Sequence, residues 1–439
     1  MSSVALSLIG IILALAFLIY GFYKGYSALT IAPIGVLIVI FVGGLPFTET
    51  TKVFFGGLGT MVNSFLPVLL GACILGTCFS AVGGGEVLAG LLIPIFGAKN
   101  VVPCIVFLAL LCGYSSMSFA GYMLCLSVGL AMCKKANLPS RILPGCILLG
   151  GYTVTLGGPG SVSAINLVPA ETLGATPMAG ALIGFAGAIF TIVGGTLYLI
   201  WQEKRWVKRG ECFGPEDEKH ITEDIDIDAL EKASLGKVLL TLLPIAVMLV
   251  LLNVVHLHAL WSTLIGTLVL IVINFKKFTV KEWLAHINKG ALSPCVAVMG
   301  IAIMGGFGTV CQNTPAYSAL LDWLSRAHVN PYLLAILSTS LLAGLTGSGT
   351  SAVGLGMQSL GGYFVASGAQ GYSLPNISRL VSMSAVSFDS LPSSGSMYAV
   401  MNTLGYSYKD AYFPVFMCTV VFTLMGAAFV GLPLALLGL

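Results

Sequence analysis

Apolar residues run through this chain in blocks of about twenty, separated by glycine, proline and short polar clusters. Val4–Phe22, Leu29–Gly44, Met61–Val82, Met178–Ile200 and Phe413–Leu437 are the clearest blocks. A helix rises about 1.5 Å per residue, so roughly twenty apolar residues cross the hydrocarbon core of a bilayer, and each block predicts a spanning helix. Other segments are too short to cross. Val101–Cys112 and Ala120–Cys133 flank the polar tip Gly113-Tyr114-Ser115-Ser116-Met117-Ser118, which predicts a re-entrant hairpin over 101–133. Thr346-Gly347-Ser348-Gly349-Thr350-Ser351 is the tip of a second hairpin over 331–367. Two helical patterns are interrupted: 141–172 at Leu156-Gly157-Gly158-Pro159-Gly160, and 376–405 at Leu391-Pro392-Ser393-Ser394-Gly395. Glu86–Phe96 and Ala316–Ser325 predict short interfacial helices.

Displaced by about 231 residues, the chain repeats its own punctuation: Gly25–Gly59 meets His256–Gly290, and Gly59–Asn100 meets Gly290–Asn330. The expected organisation is therefore a first repeat over 1–200, a linker over 201–237 and a second repeat over 238–439. Each repeat reads as about five spanning helices, a hairpin and a broken helix. An odd number of crossings inverts the second repeat relative to the first, an arrangement that places substrate near the midplane between repeats. The fold class expected is an all-α polytopic membrane protein.

Composition sharpens this picture. Of 439 residues 57% are hydrophobic and 8% charged, against about 25% charged in a soluble domain. The first block lacks a basic leader and a small-residue cleavage site, so it reads as a retained helix. Fifty-four glycines allow close helix approach and broken helices. Eleven cysteines show no C-x-x-C spacing and read as small buried apolar residues. Placing the Lys/Arg-rich linker in the cytoplasm sorts 17 of the 20 basic residues to that side and leaves Lys52, Arg326 and Arg379 outside. The expectation is a bacterial inner-membrane protein with both termini outside. The net charge of +3 is thus an orientation signal and implies no nucleic-acid partner.

Ten of the 17 acidic residues lie in the linker, and only Asp389 falls near the centre of the membrane. A charge there is costly and marks function by default. Burial penalises the ionised carboxyl, which suits a proton carrier; an ionised Asp389 could instead hold sodium, or cap the second half-helix. The hydroxyls of Ser115, Ser116, Ser118, Ser348, Thr350 and Ser351 at the tips are candidate substrate ligands, together with Gly158, Ser161 and Asn166 at the first break. Ser393, Ser394 and Ser396 at the second break complete the set. Half-helix N-termini with unpaired N–H groups suit a carboxylate. Arg379 sits a turn into the outer end of its helix and is expected to snorkel to the interface. His256 and His258 share an outer turn, too few ligands for a metal, and no metal or cofactor is expected.

The segment Asp389-Ser390-Leu391-Pro392-Ser393-Ser394-Gly395, followed by Leu404-Gly405 and Tyr408-Lys409-Asp410-Ala411-Tyr412, resembles the gluconate:proton symporter (GntP) family of the ion transporter superfamily. It is most similar to the hydroxybutyrate permease-like branch, whose pattern there is D-T-L-P-H-N-G; this chain has Ser393 and Ser394 in place of His-Asn. The stretch Gly158-Pro159-Gly160-Ser161 through Asn166, Pro169 and Leu173-Gly174 resembles the same branch. The resemblance implies a homodimer with a scaffold domain, a mobile transport domain and elevator-like motion.

The function expected is proton-coupled, or else sodium-coupled, symport of a small organic anion such as gluconate, 3-hydroxybutyrate or a related hydroxycarboxylate. The alternative is a cation/proton antiporter on the same fold. An enzyme is not expected, because one central acid without a nearby His or Lys supplies no acid–base or nucleophile–base pair.

Overall fold

Glycine sets where several helices stop. Gly44 ends Ala28–Gly43 at φ +65°, Gly347 ends Pro331–Thr346 at φ +61° and Gly405 ends Gly395–Leu404 at φ +75°. The opposite ends are closed by short polar side chains. Ser27, Ser163, Asn330, Ser348, Ser373, Ser394 and Ser407 each accept a hydrogen bond from a first-turn backbone N–H. These caps satisfy donors that a buried helix start cannot leave bare.

The computed structural model describes residues 3–24, 26–97, 99–114, 118–161, 163–220, 234–253, 255, 257–292, 294–326 and 329–439. Ser115, Ser116, His256 and the acidic stretch 221–233 lie outside them. Among the described residues every regular element is a helix. Ser3–Gly21, Ala181–Lys208 and Tyr408–Leu436 are each long and apolar enough to cross a membrane. Phe47–Ala81 is longer, at 35 residues, and packs against Ala259–Ile273, Val280–Leu292 and Pro294–Gln312. Large apolar side chains point outward: Phe41 is 72% exposed, Phe429 69% and Val272 67%. Inside are hydroxyls, including Ser340, Ser378, Ser382, Ser384 and Ser387. A greasy exterior over a hydroxyl-bearing interior is the arrangement that lipid selects.

Two apolar clusters organise the interior. The larger joins the first hairpin (Ile105, Leu108) to the first broken helix (Ile147, Leu148) and to the helices Ser3–Tyr23 and Ala28–Gly43. The second joins the other hairpin (Leu334, Leu360, Phe364) to Ile377, Leu380 and Val381 of Leu374–Phe388, and to Ile165 and Ile183 from the first half. Each hairpin is thus packed on a broken helix.

The described part of the linker is tied to both broken helices. Asp217 accepts hydrogen bonds from Ser140 N (2.9 Å), Ser140 Oγ (2.5 Å) and Gly214 N (2.8 Å). Ser140 starts the first broken helix, and its hydroxyl also meets Tyr406 Oη at 2.5 Å, just past the end of the second. Arg141 pairs with Glu211 and lies 4.1 Å over the Trp206 ring. His220 stacks on Tyr406 at 4.1 Å. Burial depresses the His220 imidazole below the ordinary histidine range, while Asp217, Glu216 and Asp410 pull it up and Lys219 pushes it down. A depressed value means the folded contact favours neutral imidazole. Its stability is complete above the unfolded value of about 6.5 and is lost as the pH falls below it. We therefore expect amides in 211–220 to be protected from hydrogen exchange at pH 7.5 and to lose protection by pH 5.5. The substitution His220→Gln should remove that pH dependence. Protection that stays level in the wild type after correction for intrinsic exchange would contradict it.

Candidate functional site

The first broken helix runs over 140–157, passing from a 3-10 turn at Ser140–Ile142 through α at Leu143–Leu148 and π at Leu149–Val154 to α at Thr155–Gly157. A π segment locally widens the helix, and such segments cluster at functional sites. The chain then leaves helical form and resumes at Ala164–Thr172. Pro159 has no N–H to continue the ladder, and Gly160 turns at φ +75°. The second break falls between Leu374–Phe388 and Gly395–Leu404, with Pro392 inside it. The first break nevertheless touches the second broken helix, which comes from the other half. A Cβ on Gly157 would lie 2.8 Å from Ser382 O, so only glycine permits that approach.

The hairpin tips join them. Gly349, in the first turn of Gly349–Gly368, lies so close to the second break that a Cβ there would be 3.0 Å from Asp389 Cβ and 3.0 Å from Ile165 Cδ1. Tyr114, at the end of the first hairpin's leading arm, brings its hydroxyl to within 2.5 Å of where a Cβ on Gly158 would stand.

Asp389 is at the meeting point, 3% exposed. Tyr152 Oη, from the first break's π segment, donates to Oδ2 at 2.9 Å. Ser394 Oγ donates to Oδ1 at 3.2 Å. The Gly349 backbone N–H, from the second hairpin, donates as well. Ser396 hydrogen-bonds to the Tyr152 hydroxyl, and Tyr412 Oη donates to Ser390 O at 2.8 Å. A carboxylate with three donors from three segments is prepared to exist ionised, while its burial and its lack of a basic partner among the described residues prepare it to be neutral. That balance is what a reversible cation carrier needs.

Several side chains read from the sequence as ligands have structural tasks. Ser348 Oγ accepts from Ser351 N, and Ser394 Oγ from Met397 N, as helix caps. Asp389 is therefore not the cap of the second half-helix; Ser394 is. Ser161 Oγ donates to Thr155 O at 2.5 Å, and the Asn166 amide donates to Ser161 O and Pro177 O. Ser393 is buried beside Gly347, while Thr350, Ser351 and Ser396 are half-buried. Ser118 opens the second arm of the first hairpin; Ser115 and Ser116 lie outside the described residues.

Arg379 does not snorkel. It is 1% exposed, the largest fully buried side chain among the described residues. Its guanidinium donates to Ala179 O, Gly157 O, Asn166 Oδ1 and Pro177 O at 2.7–3.0 Å. Four acceptors pre-arranged in the first half offer more than the interface would, because each guanidinium donor needs a partner. The sequence also left Tyr152 unmarked. Its signal was a lone aromatic hydroxyl placed just after Gly150-Gly151 and before the break.

The sequence profile of GntP family permeases matches residues 2–361. The uncharacterized transporter YxjC of Bacillus subtilis is 24% identical over 466 aligned residues, covering 95% of this chain and 97% of that protein. A gluconate permease of Zymomonas mobilis is 23% identical over 338 residues, covering 72% of each. Among solved structures, the Alcanivorax borkumensis YdaH transporter superposes with a TM-score of 0.44 at 14% identity, covering 88% of each chain. The profile match ends before Asp389, whereas the alignment with the Bacillus protein extends over nearly the whole chain. The chain is a multi-pass membrane protein and a transporter, not an enzyme, and it belongs to the GntP family of permeases.

Proposed function

We propose that this permease is a secondary active symporter that carries a small organic carboxylate inward together with one proton, which rides on Asp389. The observation that carries the reading is the Asp389 carboxyl, buried and gripped by donors from the first break, the second break and the second hairpin. Elements from both halves close on one ionisable group, so its protonation state and the arrangement of the halves are mechanically linked. Gluconate, 3-hydroxybutyrate and related short hydroxycarboxylates fit the family, and one relative carries the name gluconate permease. Inverted repeats, a homodimer, elevator motion of the hairpins and broken helices, and a cytoplasmic linker in the bacterial inner membrane belong to the same proposal. They are supported by the punctuation that the chain repeats about 231 residues apart and by the sorting of Lys and Arg that a cytoplasmic linker gives.

A panel of gluconate, 3-hydroxybutyrate and their neutral polyol analogues, read by thermal unfolding of the purified protein at pH 6 and pH 8 with and without sodium, tests this. A ligand at a hundred times its Kd stabilises by about 2.7 kcal/mol. We expect stabilisation by the acids, larger at pH 6 and indifferent to sodium. Stabilisation only in sodium would move the coupling from proton to sodium. No stabilisation by any carboxylate would leave the cation/proton antiporter reading in its place.

A further inference from the structure

Arg379 plays no part in the mechanism so far, yet it is the largest fully buried side chain among the described residues. It reaches from Leu374–Phe388 of the second half into the first, where it is held by four uncharged acceptors. The helix Ala181–Lys208 and the residue before it give up side chains to admit it: a Cβ on Gly184 would stand 2.8 Å from Arg379 Cδ, and one on Gly180 2.7 Å from Arg379 Cβ. Carbonyl and amide oxygens satisfy its hydrogen bonds but leave its full positive charge in place. Among the described residues no carboxylate forms an ion pair with it. One acceptor is Gly157 O, the last helical residue before the first break, and Tyr114 of the first hairpin is within electrostatic reach. The fixed charge therefore stands directly behind the break. Asp389 is ten residues further along, about 15 Å at roughly 1.5 Å per residue.

We propose that Arg379 is the charge-selecting residue of the transport site: it makes the site take a monocarboxylate and makes anion binding and protonation of Asp389 reinforce each other. This rests on the symporter reading above. With Asp389 ionised, the two buried groups sum to zero and the empty site tolerates the low-dielectric interior. Protonation of Asp389 uncovers a net charge of about +1, which is costly there until an anion binds. A monocarboxylate restores neutrality; a neutral polyol leaves the charge uncovered and a dicarboxylate overshoots it. Proton and anion thus enter together and leave together, and the neutral empty carrier can return.

The test measures Kd at pH 6 and pH 8 on the full-length protein in lipid nanodiscs. The probes are gluconate with its neutral analogue glucitol and its dianionic analogue glucarate, and 3-hydroxybutyrate with neutral 1,3-butanediol. The wild type should prefer each monocarboxylate to its neutral analogue and bind it more tightly at pH 6. The variant Arg379→Gln should weaken the acid at least tenfold and lose most of the preference. Arg379→Lys, which keeps the charge without the four-way grip, should retain the preference. Asp389→Asn, a neutral carboxyl mimic beside an intact Arg379, should bind the acid at pH 8 as tightly as the wild type does at pH 6. It carries the test alone if Arg379→Gln does not fold. An unchanged preference in folded Arg379→Gln overturns the inference, as does Arg379→Lys falling as far as Arg379→Gln, which would make the residue a brace. Equal binding of acid and polyol by Asp389→Asn does the same. In each of these cases the symporter reading stands. No binding of either acid by the wild type overturns both.

Discussion

Asp389→Asn should abolish pH-driven accumulation while leaving the protein folded and still able to bind its carboxylate. One pH unit is worth about 1.36 kcal/mol, so with one proton per substrate a one-unit inward gradient supports roughly tenfold accumulation. In the variant the same gradient should drive no accumulation. The fold should survive because the amide can serve the same neighbours. Its oxygen can accept from the Gly349 N–H and Ser394 Oγ, and its NH2 can donate to Tyr152 once that hydroxyl rotates. The expected stability change is within about 1–3 kcal/mol. Substrate exchange between the two sides should persist, since a loaded neutral carrier needs no proton release; net uptake should not. Tyr152→Phe removes one donor to the carboxylate and should slow transport roughly tenfold to a hundredfold, with accumulation retained. Uptake into proteoliposomes under an imposed pH gradient separates these outcomes. Accumulation by Asp389→Asn equal to the wild type removes Asp389 from the coupling step.

What could be read from the sequence follows from what each signal depends on. Lipid imposes its demand on every residue of a spanning block, so an all-helical membrane protein was visible in the pattern of Val4–Phe22 or Met178–Ile200. Helix ends at Gly157, Phe388 and Thr346 are local events, governed by nearby glycine and proline, and local chemistry is what a sequence displays. Asp389 stood out because an acid in an apolar block is rare. The partners that Asp389 and Arg379 find in the first half were hidden, because they depend on contacts across 200 residues or more. Arg379 looked like a residue at an outer helix end; nothing in its neighbourhood announces that Ala179, Pro177 and Gly157 hold acceptors for it. Tyr152 reads as one aromatic in an apolar run until Asp389 is brought to it from 237 positions away. The hydroxyls were ambiguous for a different reason. A serine at a break can cap the next helix or face a ligand, and both uses place it at the same position. Ser348 and Ser394 are caps, and the Ser394 hydroxyl also donates to Asp389.

Gly347→Ala should be the most damaging single-methyl change in the second hairpin, and Gly354→Ala in the following arm should be harmless or stabilising. Gly347 sits at φ +61°, where a side chain costs roughly 1–3 kcal/mol. A Cβ there would also lie 2.7 Å from Ser393 O and 3.3 Å from Ser393 C. Backbone cannot rotate aside as a side chain can, so tip and break must separate, adding about 1–3 kcal/mol of overpacking. The sum, about 2–6 kcal/mol, should appear as a lower unfolding temperature in detergent. Gly354 is an exposed helical position with nothing within 4 Å of an added Cβ, and alanine should gain up to about 1 kcal/mol there through helix propensity. Both variants carry the same added methyl in one hairpin, so the difference between them isolates the tip-to-break contact. Transport should suffer more than stability in Gly347→Ala, because the displaced residue is next to Ser394 and Ser394 holds Asp389. A variant that unfolds at the wild-type temperature and transports normally would mean that the tip and the break do not press together in the working protein. The cross-half grip on Asp389 would then lose the contact that closes it.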